Sequence, residues 1–309
     1  MNSTFDVLIL GGGPAGYSAA IYAARSGMSC AVIEQGMAGG QIATTDIVDN
    51  YPGMPGISGM ELGESFKAHA ESLGTEVIWS AITSVDKEGD GSFTVHCDNG
   101  EYRSKAIIAA LGAKPKTAGF EGEDTFRGRG VSYCATCDGM FYHDKDVYFV
   151  GGGNAACEEA LYLSNIARHV TVLVRRDAFR AAEGIWRPLL DKSNISVRYQ
   201  TSIVKVEGEV LPESISFKNN ETGEITIETR EPGSFGIFVF AGTEPQTALI
   251  DSFVDCAADG GVVTDPSMAT RTPGLYAAGD IRSKALRQVI TAASDGAIAA
   301  TSVYSYLHS

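Results

Sequence analysis

Short apolar runs alternate with longer amphipathic segments along this chain, and one arrangement of them occurs twice. Each copy begins with a continuous apolar run, typical of a strand buried in a parallel sheet, and a glycine triplet comes directly after it. An alanine-rich segment then predicts a helix, and another apolar run predicts a second strand. The two copies comprise residues 5–10, about 17–26 and 30–33, and residues 147–150, about 157–166 and 170–173. The pattern predicts two βαβ units and an α/β fold.

The remaining segments carry weaker patterns. Residues 208–234 mix polar and β-branched residues with Gly and Asn, which predicts hairpin-like surface strands. Residues 235–241 predict a nearly continuous apolar strand, and residues 289–306 predict an apolar helix. Pro and Gly near residues 114–116 and 242–245 suit two hinge-like crossings between domains.

The first glycine turn has the features of a dinucleotide-binding fingerprint. Glycines let backbone N–H groups approach a pyrophosphate at a helix N-terminus. Glu34 lies about 20 residues further on, where a carboxylate can accept a hydrogen bond from a ribose hydroxyl. A merely tight turn between strand and helix is the alternative interpretation. The candidate cofactor-binding residues here are Gly11, Gly13, Pro14, Ala15, Gly16 and Glu34.

The second glycine turn differs from the first at the end of its second strand. Val174 occupies the position equivalent to Glu34, and two arginines come directly after it. The loss of the acid removes the acceptor for a 2′-hydroxyl, whereas arginines can bind a 2′-phosphate. The pattern therefore predicts NADPH rather than NADH, with a solvated arginine cluster as the alternative. The candidate residues are Gly151, Gly153, Asn154, Ala155, Ala156, Arg175, Arg176 and Arg180.

Cys134 and Cys137 lie between the two fingerprints, at a spacing that brings two thiols within reach of one disulfide. A cofactor that carries two electrons beside a dithiol that accepts two suggests transfer of reducing power to sulfur. A zinc site would need four ligands, and no second cysteine pair is present, so we predict no metal site. A structural disulfide is a further alternative. The isolated cysteines are predicted to be buried small hydrophobic residues: Cys30, Cys97, Cys157 and Cys256.

Composition excludes several classes of function. At 309 residues the chain has room for two domains, and its apolar fraction of 44% is normal for a protein with a sizeable core. The formal net charge of −14 argues against a nucleic-acid partner. No apolar run reaches membrane-spanning length, and the first residues lack a cationic and apolar signal region. These features predict a cytoplasmic protein without a membrane partner.

The chain resembles the low-molecular-weight bacterial thioredoxin reductases, which are flavoprotein disulfide reductases, over nearly its whole length. Residues 134–139 are similar to the active site of that family, and residues 175–181 are similar to its NADPH phosphate site. Residues 39–41, 49–53 and 107–113 resemble loops around the flavin. The resemblance adds these candidate FAD-binding residues: Gly40, Gln41, Asn50, Ala110, Gly112, Gly279, Asp280, Arg287, Gln288 and Val289.

The resemblance implies two Rossmann-like three-layer nucleotide-binding domains, the second inserted into the first. The FAD domain would comprise residues 1–115 and 246–309, and the NADPH domain, with the dithiol, residues 116–245. NADPH would reduce FAD, which would reduce the disulfide. Cys137 would face the flavin, Cys134 would attack thioredoxin disulfide, and Asp138 would donate and accept the proton, with a pKa raised by partial burial. The inserted domain would rotate between half-reactions, and a homodimer is expected.

One departure from the family matters, because the family usually has His where this chain has Val174. Relatives that take electrons from ferredoxin have lost nicotinamide binding, so a ferredoxin-dependent flavin thioredoxin reductase is the main alternative. A ferredoxin–NADP reductase would need no dithiol, and a flavin-bound redox-sensing module would show no turnover. Residues 126–130, upstream of the dithiol, are a candidate docking loop for thioredoxin, with a solvated loop as the alternative.

Overall fold

A buried parallel strand precedes each glycine turn in the computed structural model, which describes residues 4–45 and 47–309. The chain divides into two units, Met1–Lys114 with Thr243–Ser309 and Pro115–Gly242. In the sequence, the second unit is an insertion within the first. Each unit has a largely parallel sheet with helices packed on it, which confirms the predicted α/β class with two Rossmann-like units.

The elements predicted from the sequence occur in the expected order, together with further strands and helices. In chain order the strands are β1 (Thr4–Leu10), β2 (Cys30–Glu34), β3 (Glu76–Trp79), β4 (Ile82–Lys87), β5 (Phe93–Cys97), β6 (Gly100–Ala109), β7 (Ala113–Pro115), β8 (Val131–Ser132), β9 (Asp146–Val150), β10 (His169–Leu173), β11 (Ile195–Arg198), β12 (Thr201–Glu207), β13 (Ser214–Asn219), β14 (Ile225–Thr229), β15 (Phe235–Val239), β16 (Thr243–Pro245) and β17 (Leu275–Ala277). The helices are α1 (Pro14–Arg25), α2 (Gly59–Ser72), α3 (Ala135–Asp138), α4 (Asn154–Leu163), α5 (Glu183–Leu190) and α6 (Val289–Leu307).

The sheet of the first unit has the order β3-β2-β1-β6-β5-β4, and β17 also pairs with β6. Alternate residues of β1 enter different cores, because successive side chains of a strand point to opposite faces. Val7 and Ile9 pack in one cluster with the alanines of α1, whereas Leu8 and Leu10 pack in another with Ile281. With both faces covered, the first glycine turn emerges at the carboxyl end of β1, where parallel sheets bind ligands.

The sheet of the second unit has the order β11-β10-β9-β15-β8, and all its neighbouring pairs are parallel. The second glycine turn comes after β9, and the cysteine segment comes after β8. Because these strands run in the same direction, both segments leave the sheet at the same edge. The predicted hairpin strands are confirmed as β13 and β14, which join β12 in a separate antiparallel sheet.

Some local predictions need correction. The first helices of the two fingerprints begin at Pro14 and Asn154 rather than at Tyr17 and Cys157, because each helix starts directly after a glycine N-cap. Cys256 is exposed rather than buried, since it lies outside the regular strands in an isolated bridge with Val262. Along residues 4–45 and 47–309, no helix combines the length and apolarity needed to cross a membrane.

Candidate active site

The dithiol segment begins where β8 ends. Cys134 and Cys137 form a disulfide, with their Cα atoms 5.3 Å apart. Cys134 is the N-cap of α3 and Cys137 lies within that helix, so one helical turn carries both sulfurs. Both residues are half-buried. The disulfide is therefore partly accessible to solvent, as dithiol exchange with another molecule requires.

Asp138 is the last residue of α3, and its carboxylate lies against the end of β8. The Ser132 hydroxyl donates to Asp138 Oδ2 at 2.6 Å, and Cys134 N–H donates to Ser132 Oγ at 3.1 Å. The Asp138 side chain makes no capping bond to the adjoining 3-10 turn, Gly139–Tyr142. The carboxylate is thus held next to the cysteine pair and does not serve as a helix cap.

The residues directly after α3 divide between the core and the surface. Tyr142 packs edge-on against Phe238, with 5.2 Å between the ring centroids. Burial raises the pKa of Tyr142 to about 12, and the nearby Asp138 charge acts in the same direction. Met140 and Phe141 are 63% and 47% exposed, so they present apolar surface beside the disulfide.

The candidate docking loop at residues 126–130 also divides in this way. Phe126 is buried in the core of the second unit, so the expectation that it contributes to a docking surface is wrong. Arg127 and Arg129 are exposed. The Arg127 guanidinium lies 4.7 Å from the ring centroid of Tyr133, the residue before Cys134. The side chain of Arg127 therefore lies close to the dithiol segment, whereas Arg129 donates to the carbonyl of Thr125 within the loop.

The first glycine turn is tightened by hydrogen bonds from its own strands. Gly11 has φ +106°, and a Cβ there would lie 2.5 Å from the carbonyl oxygen of Ala110, so only glycine fits. Gly12 N–H donates to Glu34 Oε2 at 2.6 Å. Gly39 N–H donates to the carbonyl of Gly12 at 2.8 Å. The turn, the acid at the end of β2 and the loop that holds Gly40 and Gln41 are therefore brought together. Pro14, Ala15 and Gly16 form the first turn of α1, directly after Gly13.

The C-terminal segment brings further predicted residues to the first unit's site. Asn50 Nδ2 donates to Gln288 Oε1 at 3.0 Å, although 238 positions separate them in the sequence. Gln288 is the N-cap of α6, which begins at Val289. Arg287 Nε donates to the carbonyl of Asp280 at 3.2 Å.

Asp280 is the strongest indication of a ligand-binding site in the first unit. Its Oδ1 is buried and has no hydrogen-bond partner among the residues that the structure describes. Burial raises the pKa of this carboxyl, while the nearby Lys284 and Arg287 oppose that rise. A buried acceptor without a partner is costly unless a ligand satisfies it. A glycine turn at a helix N-terminus and an unsatisfied carboxylate fit a dinucleotide with hydroxyl donors, as FAD is.

The second glycine turn repeats the backbone of the first. A Cβ at Gly151 would lie 2.7 Å from Cβ of Ala156 and 2.8 Å from the carbonyl oxygen of Phe240. Gly153 is the N-cap of α4, whose first turn contains Asn154, Ala155 and Ala156. Asn154 Oδ1 accepts from Ala182 N–H at 3.0 Å, and Arg180 N–H donates to the carbonyl of Gly152 at 2.7 Å. The segment after β10 is thereby fixed beside the turn.

The side chains around the second turn differ from those around the first. Val174 is buried against Gly152 and offers no polar atom. Arg175, Arg176 and Arg180 are exposed, and none forms an ion pair with any residue in the described part of the chain. Three exposed guanidinium groups beside a glycine turn fit a nucleotide with an additional phosphate, as NADPH is.

Two buried polar residues at these sites were missed by the sequence analysis. Asp295, in α6, accepts from Gly279 N–H at 3.1 Å, Arg282 Nη1 at 2.9 Å and Lys284 Nζ at 2.7 Å, and so fixes the turn that carries Asp280. It is the only charged residue within the apolar helix, a signal that could have identified it. Ser132, beside the dithiol, carries no comparable signal.

Comparisons with known proteins agree with this arrangement. A model of the pyridine nucleotide-disulphide oxidoreductase family matches residues 5–296. The thioredoxin reductase of Peptoclostridium litorale is 43% identical over 310 residues, which cover 99% of this chain and 98% of the relative. The thioredoxin reductase of Treponema pallidum is 42% identical over 308 residues, covering 99% and 98% respectively.

A solved structure leads to the same group. The thioredoxin reductase of Streptococcus pyogenes is 39% identical and superposes with a TM-score of 0.91, covering 100% of this chain and 99% of that one. The resemblance inferred from the motifs is thereby confirmed. This chain belongs to the pyridine nucleotide-disulphide oxidoreductase family and, within it, to the low-molecular-weight thioredoxin reductases.

Proposed function

We propose that this protein reduces the disulfide of thioredoxin, with NADPH as electron donor and with FAD and the Cys134–Cys137 pair as carriers. The observation that carries the proposal is a half-buried disulfide on the same sheet edge as a glycine turn with unpaired arginines. When bound, NADPH supplies a hydride and FAD supplies the means to pass its electron pair to sulfur. The protein's residues bind these groups and carry out the thiol chemistry.

The two units bind different cofactors in this proposal. In the first unit the glycine turn would hold the pyrophosphate of FAD, while Glu34 and Asp280 would accept hydrogen bonds from its hydroxyl groups. In the second unit the glycine turn would hold the pyrophosphate of NADPH, and Arg175, Arg176 and Arg180 would bind its 2′-phosphate. The remaining candidate residues would help to hold the two cofactors.

Cys134 and Cys137 carry the reducing equivalents to the protein substrate. The Cys134 thiolate attacks one sulfur of thioredoxin, and the other thioredoxin sulfur leaves as a thiolate. Cys137 then attacks Cys134 Sγ, which restores the enzyme disulfide and releases the second thioredoxin thiolate. Two protons convert these thiolates to thiols, and Asp138 is positioned to transfer protons at the cysteine pair.

The domain division and the assembly also belong to this proposal. Residues 1–115 with 246–309 would act as the FAD domain and residues 116–245 as the NADPH domain, with the crossings as hinges between half-reactions. The protein would act as a homodimer. Ile290, Ile298 and Tyr304 are 38–44% exposed on α6, which supplies apolar surface for association.

Anaerobic titration tests the donor and the acceptor together. NADPH should bleach the flavin of the purified yellow protein, and oxidised thioredoxin should restore its absorbance. A flavin that NADPH bleaches but thioredoxin does not reoxidise would contradict the proposed substrate.

Val174 favours a ferredoxin-dependent reductase as the second candidate, because the apolar side chain removes a polar contact to the nucleotide. In that case NADPH would leave the flavin oxidised, whereas reduced ferredoxin would bleach it. Stopped-flow mixing with each donor in turn separates the two candidates.

A further inference from the structure

Three hydrogen bonds join Ser132, Cys134 and Asp138 into a closed ring around the start of the dithiol helix. Cys134 N–H donates to Ser132 Oγ at 3.1 Å, and Ser132 O–H donates to Asp138 Oδ2 at 2.6 Å. Asp138 N–H donates to the carbonyl of Cys134 at 3.1 Å and completes the ring. No sulfur atom takes part in these bonds. The ring can therefore persist when the disulfide is opened.

The serine hydroxyl has one proton and two nearby acceptors. The carbonyl oxygen of Cys134 lies 3.3 Å from Ser132 Oγ, compared with 2.6 Å for the carboxylate oxygen. A carboxylate is the stronger acceptor, so the proton lies on the bond to Asp138. Ser132 thus accepts from the backbone of the first cysteine while it donates to the acid.

The strand that carries Ser132 fixes the ring to the sheet. Ser132 is the last residue of β8, where it pairs with Phe238 of β15, and it is 5% exposed. Cys134 and Asp138 lie outside the sheet, on and after the N-cap of a four-residue helix. So short a helix gains little stability from its own hydrogen bonds. The buried serine is therefore the anchor of the dithiol segment.

We propose that Ser132 is a positioning residue of the dithiol, which keeps Cys134, Cys137 and the Asp138 carboxylate in one arrangement in both redox states. The inference rests on the proposed function. Exchange with glutathione serves as the reference reaction for this preference. One molecule of oxidised glutathione converts the dithiol to the disulfide, and two molecules of reduced glutathione are released. Thiols that are held close together in the reduced protein close more readily, because less freedom is lost on closure. Ser132 therefore favours the closed disulfide and speeds its return after each turnover.

The test is an equilibrium measurement on the FAD-loaded, full-length protein. The protein is held in glutathione buffers of graded ratio, and free thiols at positions 134 and 137 are alkylated and counted by mass spectrometry. This equilibrium gives the effective concentration of one thiol at the other. Ser132→Ala should lower that effective concentration about tenfold, the size expected from a lost hydrogen bond to a charged group. Ser132→Thr, which keeps the hydroxyl, should restore it to within about twofold. An unchanged equilibrium for a folded Ser132→Ala protein would overturn the proposal.

Matched variants separate positioning from folding. Ser216→Ala removes a similarly buried serine from β13 of the same unit and should leave the equilibrium unchanged. Asp138→Ala breaks the same ring at a half-buried position outside the sheet, so it provides the measurement if Ser132→Ala does not fold. In the double variant, loss of Ser132 should add less than about twofold to the effect of Asp138→Ala, because one ring is lost only once. Fully additive effects would overturn the proposal.

Turnover distinguishes this inference from the proposed function. For Ser132→Ala, kcat with thioredoxin should fall about tenfold, while KM for NADPH stays unchanged. A wild-type protein that does not reduce thioredoxin would contradict the proposed function. The glutathione equilibrium needs no thioredoxin and would still decide the role of Ser132.

Discussion

The two glycine turns share a backbone and differ in the residues at the end of the next strand along the chain. In the first, the Glu34 carboxylate accepts a hydrogen bond from the turn at Gly12 N–H and another from its own loop at Gly36 N–H. In the second, Val174 is buried in the same position and the charge lies on the exposed arginines after it. Thus β2 ends in a hydrogen-bond acceptor, whereas β10 is followed by a cluster of cations.

In the proposed function, this difference would let one architecture bind two different nucleotides. The glycine turn and the helix N-terminus supply N–H donors to any pyrophosphate. In the proposed function, the strand end would then select a ribose with a free 2′-hydroxyl or one with a 2′-phosphate. The second unit differs further, because the segment that carries its disulfide and its glycine turn both leave the sheet at the same edge. Four predictions test this division of roles, in order of decreasing effect.

The cysteine pair should be separable from both nucleotide sites. Cys134→Ser and Cys137→Ser should each lower thioredoxin reduction by about 10³-fold or more, because neither variant can close the disulfide. Bleaching of the flavin by NADPH should be retained in both, measured anaerobically by absorbance. Retention of a tenth of the thioredoxin activity would show that another group carries the electrons.

Substitutions in the two glycine turns should impair the binding of different cofactors. Gly11→Ala places a Cβ against the Ala110 carbonyl at positive φ, so it should weaken FAD binding by about 100-fold. Gly151→Ala makes similar contacts with Ala156 and Phe240, and that variant should stay yellow while its KM for NADPH rises about 100-fold. Flavin content after gel filtration and steady-state kinetics provide the two measurements. Loss of FAD from the Gly151→Ala protein would contradict the assignment of roles.

The arginines should determine the choice between NADPH and NADH. Arg175→Ala combined with Arg176→Ala should raise KM for NADPH about 100-fold, with less than about a threefold change for NADH, since only NADPH carries the 2′-phosphate. Arg187→Ala is the control, because that exposed arginine in the same unit pairs with Glu183. Equal losses for both nucleotides would favour the solvated-cluster interpretation.

In the FAD-free protein, the buried Asp280 carboxylate should lower the free energy of unfolding. Its pKa is raised in the folded state, so its burial cost is absent below the unfolded pKa and appears as the pH rises through the folded pKa. Asp280→Asn should therefore raise Tm of the FAD-free protein near neutral pH, and the difference from wild type should shrink in acid. The same variant should bind FAD more weakly. Calorimetry across pH checks the first effect, and a Tm difference that grows in acid would contradict it.

The glycine turns and the cysteine pair could be predicted from the sequence, whereas the residues that pack around them could not. Gly11, Gly151 and the Cys134–Cys137 spacing were identified because each encodes a local backbone or covalent requirement. The exposure of Cys256 and the burial of Phe126 were not, since both depend on which face of a loop meets the core. Ser132 gave no signal at all, because a serine beside a strand end is ordinary until its partners are known.

The sequence by itself determined the repeated βαβ pattern, the different strand ends and the presence of a dithiol, because these requirements act over a few neighbouring residues. Only the tertiary structure decided that Asn50 meets Gln288 and that Asp295 holds the turn at Gly279. Those pairs depend on how distant segments pack, and burial then makes each hydrogen bond costly to lose. The binding and redox motifs consist of residues that are neighbours in the sequence. The residues that position those motifs come together only when the chain folds.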